Sequence, residues 1–194
     1  SVLVNRRGDG FDATYPPTWS ARGVFFGSSG SDGNHIDISD PENLVQDIMA
    51  GISDSSCFLV AYGTFGSYGG TKGCTALGGY RTEGTEFEFG VYYDWGYPQP
   101  QLEVRNNWDV STVRASAQTS MGAGQHSLAY TNESNNITLY LNGAICEEGT
   151  ATNWPQDVSD RMIGARRPDG TNGWEDDIIC MFIYERALID NEII

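Results

Sequence analysis

Four aromatic side chains crowd one short stretch of this chain, Tyr92-Tyr93-Asp94-Trp95-Gly96-Tyr97-Pro98-Gln99-Pro100-Gln101. Aromatic faces stack against the apolar side of a pyranose ring, while Asp, Asn and Gln hydrogen-bond sugar hydroxyls. Tyr92, Tyr93, Asp94, Trp95, Tyr97 and Gln99 therefore form a candidate contact surface for a glycan or a neighbouring protein subunit. Gly96 and the two prolines place them at a loop tip between two strands, where exposed apolar area marks contact with a partner. The competing reading folds some of these rings back over a sheet edge. Trp108 and Trp154, also near turns, read as packing residues.

Other reactive residue types show no catalytic order. Glu86 and Glu88 alternate and share a strand face, whereas Glu175-Asp176-Asp177 are consecutive and splay to opposite faces. His35 and His126 each fall inside a predicted strand and read as structural. No nucleophile elbow, phosphate loop or His-Glu-x-x-His sequence is present. Cys57, Cys74, Cys146 and Cys180 lack the paired spacing of a zinc site. They allow two disulfides, most simply Cys57 with Cys74 and Cys146 with Cys180, or equally four free thiols. Arg7-Gly8-Asp9 spells an adhesive tripeptide that chance also supplies. Asn132-Glu133-Ser134 and Asn136-Ile137-Thr138 are N-glycan sequons, meaningful in a eukaryotic secretory route.

These groups need a scaffold. With 194 residues the chain suits one domain, 1–194, large enough for a core built on 8 Phe, 10 Tyr and 5 Trp. A net charge of −15 and a single lysine, Lys72, argue against nucleic acid or anionic membrane as partner. No run approaches the roughly 18 apolar residues of a membrane span, so a soluble protein without membrane insertion is expected. The 24 glycines punctuate short apolar runs, the pattern of an all-β sandwich. Phe87, Phe89 and Val91 alternate with polar neighbours as in a half-buried strand. Asn142-Gly143 between apolar runs predicts a tight hairpin. Ile178 to Tyr184 is apolar on both faces and predicts a central strand covered on each side. Further strands are expected at 23–27, 34–38, 57–62, 101–105, 110–117, 125–131 and 160–165. Asp40-Pro41-Glu42 predicts a helix over 41–50 with Leu44, Val45, Ile48 and Met49 inward, and 186–193 a short closing helix.

From Gln125 onward the order of signals resembles the C-terminal half of the concanavalin A-like lectin/glucanase superfamily, in its laminin-G-like or pentraxin-like branch. Gln125-His126-Ser127-Leu128, Leu139-Tyr140-Leu141-Asn142-Gly143, Ile163-Gly164, and Tyr184-Glu185-Arg186-Ala187-Leu188 through Glu192-Ile193 follow one another as that family's motifs do. The resemblance implies a jelly-roll sandwich of two antiparallel sheets with one or two short helices. Retaining glycosidases of this fold carry Glu-x-Asp-x-Glu on one strand, two of whose carboxyls lie roughly 5 Å apart. Among Glu83, Glu86 and Glu88 the central aspartate is missing, since Phe87 stands there. Calcium is the family's recurrent ion, but the pentraxin-like ligand cluster is not reproduced in Ile163-Gly164-Ala165-Arg166-Arg167. Asp32, Asn34 and Asp169, in Gly-rich loops, are the remaining calcium candidates, although acids there serve chiefly as turn formers. No other cofactor is implied.

The expected function is thus a non-catalytic surface module of a virion or extracellular assembly, contacting a glycan or a neighbouring subunit. The small first residue and the lack of a signal segment favour the virion. A secreted carbohydrate-binding lectin or adhesin is the alternative, and a glycoside hydrolase a distant one. The acidic charge is expected at outward positions such as Glu86 and Glu88, as solubility and edge protection.

Overall fold

The computed structural model describes residues 11–15, 18–26, 35–38, 43–63, 72–82, 85–94, 97–106, 111–114, 121, 123–152, 154–155, 158–165, 173–174 and 176–193. For strand residues 11–15, 18–19, 72–74, 81–82, 85–86, 92–94, 97–101, 103, 105–106 and 111–114 it describes the backbone alone.

Two antiparallel sheets face each other. Sheet A runs β1 (Phe11–Tyr15), β4 (His35–Ile38), β13 (Asp160–Ile163), β6 (Lys72–Thr82), β7 (Thr85–Asp94), β8 (Tyr97–Asn106), β9 (Ser111–Arg114). Sheet B runs β12 (Ala144–Thr150), β11 (Asn136–Leu141), β10 (Gly124–Glu133), β5 (Ser55–Gly63), β14 (Asp177–Tyr184), β3 (Val24–Phe25), β2 (Thr18–Trp19). Strands remote in the chain lie side by side, β13 between β4 and β6 and β14 between β5 and β3, which is how a jelly roll closes. One short helix, α1 (Leu44–Met49), and a 3-10 turn, Asp190–Glu192, complete the described elements.

The alternation of β7 does what its sequence predicts. Phe87, Phe89 and Val91 are buried between the sheets. There Phe89 meets the edge of Tyr130 at 5.0 Å and Phe87 stacks on Trp154 at 6.3 Å. The Asn142-Gly143 hairpin also forms, with φ of 52° and 77° as a tight reversal requires. Asn142 Oδ1 accepts the Ser127 N–H at 3.1 Å, tying that turn to β10. A second turn of the same handedness joins β10 to β11 without any glycine, at Ser134 (φ 51°) and Asn135 (φ 72°). Hydrogen bonds hold it: the Asn135 N–H donates to Asn132 Oδ1 at 3.0 Å and the Ser134 N–H to Asp54 Oδ1 at 2.8 Å.

Several expectations are corrected. The helix spans Leu44–Met49 rather than 41–50, because Asn43 adopts a left-handed φ of 57° immediately before it. Val45, Ile48 and Met49 are buried but Leu44 is only half-buried. Asp40 to Glu42 lie outside the described residues. No helix spans 186–193. That segment runs irregularly with the single 3-10 turn, since it is held down onto sheet B at both ends. Strand β14 lies mid-sheet as expected, between β5 and β3, but β3 pairs only with Asp177 and Ile178, and the outer face of β14 is not fully covered, since Phe182 is 49% exposed. Strand β6 was not anticipated from its glycines. Gly79 is there because a Cβ would stand 2.5 Å from both Met49 Sδ and Val158 Cγ1.

The corrected C-terminal segment builds a second core on the outer face of sheet B. Leu188 and Ile193 pack on Ala129 and Tyr140, with Phe58 and Tyr184 alongside. Burying a side chain such as Leu188 stabilises by about 1.5–3 kcal/mol. Polar bonds fasten the segment. Ser56 Oγ donates to the Arg186 carbonyl at 3.0 Å and accepts the Leu188 N–H at 2.8 Å. Tyr140 donates to Asp190 at 2.9 Å, and Arg186 grips Glu192 with two bonds of 2.7 Å. That fork, with the Ile189 N–H, holds the Glu192 carboxyl down at about 2. The Tyr-x-Arg-Ala-Leu-x-x-x-Glu-Ile pattern is therefore a clasp.

Candidate functional site

The candidate aromatic residues sit where β7 passes into β8. Phe87, Phe89 and Val91 point into the core, as do Leu102 and Val104 of β8, so intervening positions fall on the outer face of sheet A. Across β7 and β8 the register sets Glu88 opposite Arg105, Gly90 opposite Glu103, Tyr92 opposite Gln101 and Asp94 opposite Tyr97. On its other side β7 faces β6, which sets Gly78 against Glu88, Thr75 against Gly90 and Gly73 against Tyr92. Glycines thus recur beside Glu88 and Tyr92, leaving bare backbone along the strip that leads to the hairpin.

This differs from the expected loop tip. Tyr92, Tyr93 and Asp94 belong to β7, and Tyr97 and Gln99 to β8, while Trp95 and Gly96 lie outside the described residues. Tyrosine's strand preference carries both strands as far as the Asp94–Tyr97 pair. The aromatic residues stand on two paired strand ends, Tyr92 opposite Gln101 and Tyr97 opposite Asp94, instead of along a loop.

The strip continues across sheet A. Gly78 faces Met162, and Met162 faces Asp37. Because Ile36 and Ile163 enter the core, His35, Asp37 and Met162 take the outer face. His35 Nε2 lies 3.3 Å from Asp37 Oδ1. The middle of this face is closed to solvent. Met162 is 0% exposed, Thr75 1%, His35 2% and Glu88 3%, whereas the Asp37 side chain is 40% exposed. Glu88, expected as a solvated outward charge, is buried, because the outer face of sheet A is covered at this point, as the closed Met162, Thr75 and His35 show. Thr75 and Asp37 were missed as members of this face. The alternation His35-Ile36-Asp37-Ile38 was the only signal for Asp37, and none marked Thr75.

The remaining candidates do not join the site. Asp32, Asn34 and Asp169 lie outside the described residues, as do Arg7-Gly8-Asp9, Glu83 and Trp108. Among the described residues no group of three or more His, Cys, Asp or Glu is placed to hold a metal ion. His126 lies near Asn142, Nδ1 to Nδ2 3.2 Å, beside the hairpin turn of sheet B. Asp177 accepts a hydrogen bond from Ser20 and is buried.

The proposed disulfides are not made: Cys57, Cys146 and Cys180 are free thiols. Cys146 lies on β12 and Cys180 on β14, separated in sheet B by β11, β10 and β5. At about 4.8 Å per strand that is far beyond the roughly 6 Å a disulfide spans. Cys57 and Cys74 belong to opposite sheets. Burial pushes the Cys57 thiol well up and the Cys146 thiol to about 11, so neither is a ready nucleophile.

Similar architecture is found among solved structures. The Ruminococcus gnavus IT-sialidase CBM40 bound to α2,3 sialyllactose superposes with a TM-score of 0.60 at 17% identity, covering 86% of this chain and 94% of that one. Domain 4 of AbnA, a GH43 extracellular arabinanase from Geobacillus stearothermophilus, in complex with arabinotriose, gives 0.60 at 14%, covering 94% and 79%. What is shared is the fold, an all-β sandwich of two antiparallel sheets. Trypanosoma rangeli sialidase in complex with sialic acid contains it too, at 0.63 and 14% identity, covering 94% of this chain but 28% of that one. No protein-family model and no curated protein sequence matches the chain.

Proposed function

We propose that the chain is a non-catalytic, extracellular carbohydrate-binding module whose sugar lies against the β7–β8 hairpin of sheet A. The observation that carries this is the register: Tyr92, Tyr93, Asp94, Tyr97 and Gln99 are gathered on two paired strand ends flanking Trp95. Aromatic residues supply stacking surface and the Asp and Gln supply hydrogen bonds, the combination that sugar recognition uses. Two structures of similar fold hold oligosaccharides, which supports this reading over the virion-surface role. Glycoside hydrolysis is disfavoured by the acids present. Glu86 and Glu88 have Phe87, a core residue, between them, and Glu88 is closed to solvent, so a water for the second half-reaction has no path to it.

A glycan array carrying sialylated, arabinan and neutral oligosaccharides, followed by calorimetry on the hits, tests the proposal. Wild-type protein should bind at least one class, and Trp95→Ala and Tyr92→Ala should each weaken it about tenfold, the loss of one stacking contact of roughly 1.4 kcal/mol. Failure to bind any glycan, or full binding by both variants, would overturn it.

A further inference from the structure

Two sequons, four residues apart, flank the β10–β11 turn, and the structure treats their asparagines in opposite ways. Asn132 is 1% exposed, and its Oδ1 accepts the Asn135 N–H at 3.0 Å, closing the turn. Its position on β10 has the same inward parity as Tyr130 and Leu128, both in the inter-sheet core. Asn136 opens β11 beyond the turn and is exposed. Its Oδ1 accepts from Thr150 at 3.3 Å on an exposed edge, which leaves Nδ2, the atom that would carry a sugar, with no hydrogen bond among the described residues. The three residues between them, Glu133, Ser134 and Asn135, are exposed as well.

We infer that Asn136 is an N-glycan acceptor site and that Asn132 is not. In the transfer, Asn136 Nδ2 attacks the anomeric carbon of a lipid-diphosphate-linked oligosaccharide. The N–C1 bond forms, the C1–O bond to phosphate breaks, the amide gives up one proton, and the lipid diphosphate leaves with the bonding pair. A glycan on Asn136 points into solvent from the hairpin tip. The same addition at Asn132 would put a sugar where a buried amide must close the turn, so a chain modified there cannot reach this fold.

The glycan would also stand clear of the proposed sugar site. The Ala151 N–H bonds the Asn135 carbonyl at 2.9 Å, and nearby Trp154 stacks on Phe87. The Asn135 tip thus lies toward the end of sheet A where β7 begins, while Tyr92 to Gln99 lie where β7 ends.

The test is to secrete the full chain from a eukaryotic host behind a cleavable leader and measure its mass before and after peptide-N-glycosidase treatment. Wild-type protein should lose one glycan mass, leaving aspartate at 136. Asn136→Gln and Thr138→Ala should each secrete without that shift, and Ser134→Ala, which removes the other sequon while keeping Asn132, should retain it. A glycan mapped to Asn132 in secreted folded protein, or an unoccupied Asn136, would overturn the inference. Sugar binding by the glycosylated protein should equal that of the enzymatically released form. A loss of binding on glycosylation would contradict the placement of the two sites at opposite ends.

Discussion

The outer faces of the two sheets are finished in different ways. Sheet B presents Phe58, Ala129, Tyr140 and Tyr184 outward, an apolar row that water would penalise, and the chain covers it with its own Leu188 and Ile193. Sheet A presents His35, Asp37, Thr75 and Glu88 with glycines between them, and at one end of its strands the aromatic hairpin. The middle of each face is covered by the protein's own chain, over apolar groups on sheet B and over largely polar ones on sheet A. Buried polar atoms raise a hydrogen-bonding cost that apolar packing does not, so a sheet that needed only stability would have been finished like sheet B.

Substitutions on the two faces should therefore separate stability from binding. The largest stability loss is expected for Leu188→Ala, about 3 kcal/mol by denaturant unfolding, because it opens a cavity under the clasp; glycan affinity of the folded fraction should not change. Tyr140→Phe removes the bond to Asp190 and should cost about 1 kcal/mol, again with affinity intact. The smallest effect belongs to Glu192→Gln, and it should depend on pH. The Glu192 carboxyl sits at about 2 instead of its ordinary 4.5, so its stabilisation is present above pH 4.5 and is lost as pH falls toward 2. Wild type should exceed the variant in thermal stability at neutral pH and converge with it near pH 2. A loss of sugar affinity in any of these three would break the division between the faces.

Much of the scaffold was legible because its signals are local. Two positive φ values make Asn142-Gly143 a hairpin in almost any context, and strict alternation from Phe87 to Val91 leaves one way to bury three apolar side chains. What escaped depended on distant neighbours. Gly78 and Gly79 weaken the strand signal of β6, and the reason for Gly79 lies in Met49 and Val158, remote in the chain. The segment after Tyr184 has good helix formers, yet Ser56 and Tyr140 hold it in another shape. The burial of Glu88 could not be read from a residue type that usually faces water. The aromatic cluster itself was visible in the sequence; its distribution over two paired strand ends was not, because Gly96 and the flanking prolines suggested a longer loop.

The most direct measurement compares Trp95→Ala with Leu188→Ala in paired calorimetric titration and denaturant unfolding, using the best hit from a glycan array. Trp95→Ala should unfold with wild-type protein and lose about tenfold in affinity, while Leu188→Ala should lose stability and keep its affinity. Wild-type affinity in Trp95→Ala, or affinity lost in folded Leu188→Ala, would contradict it.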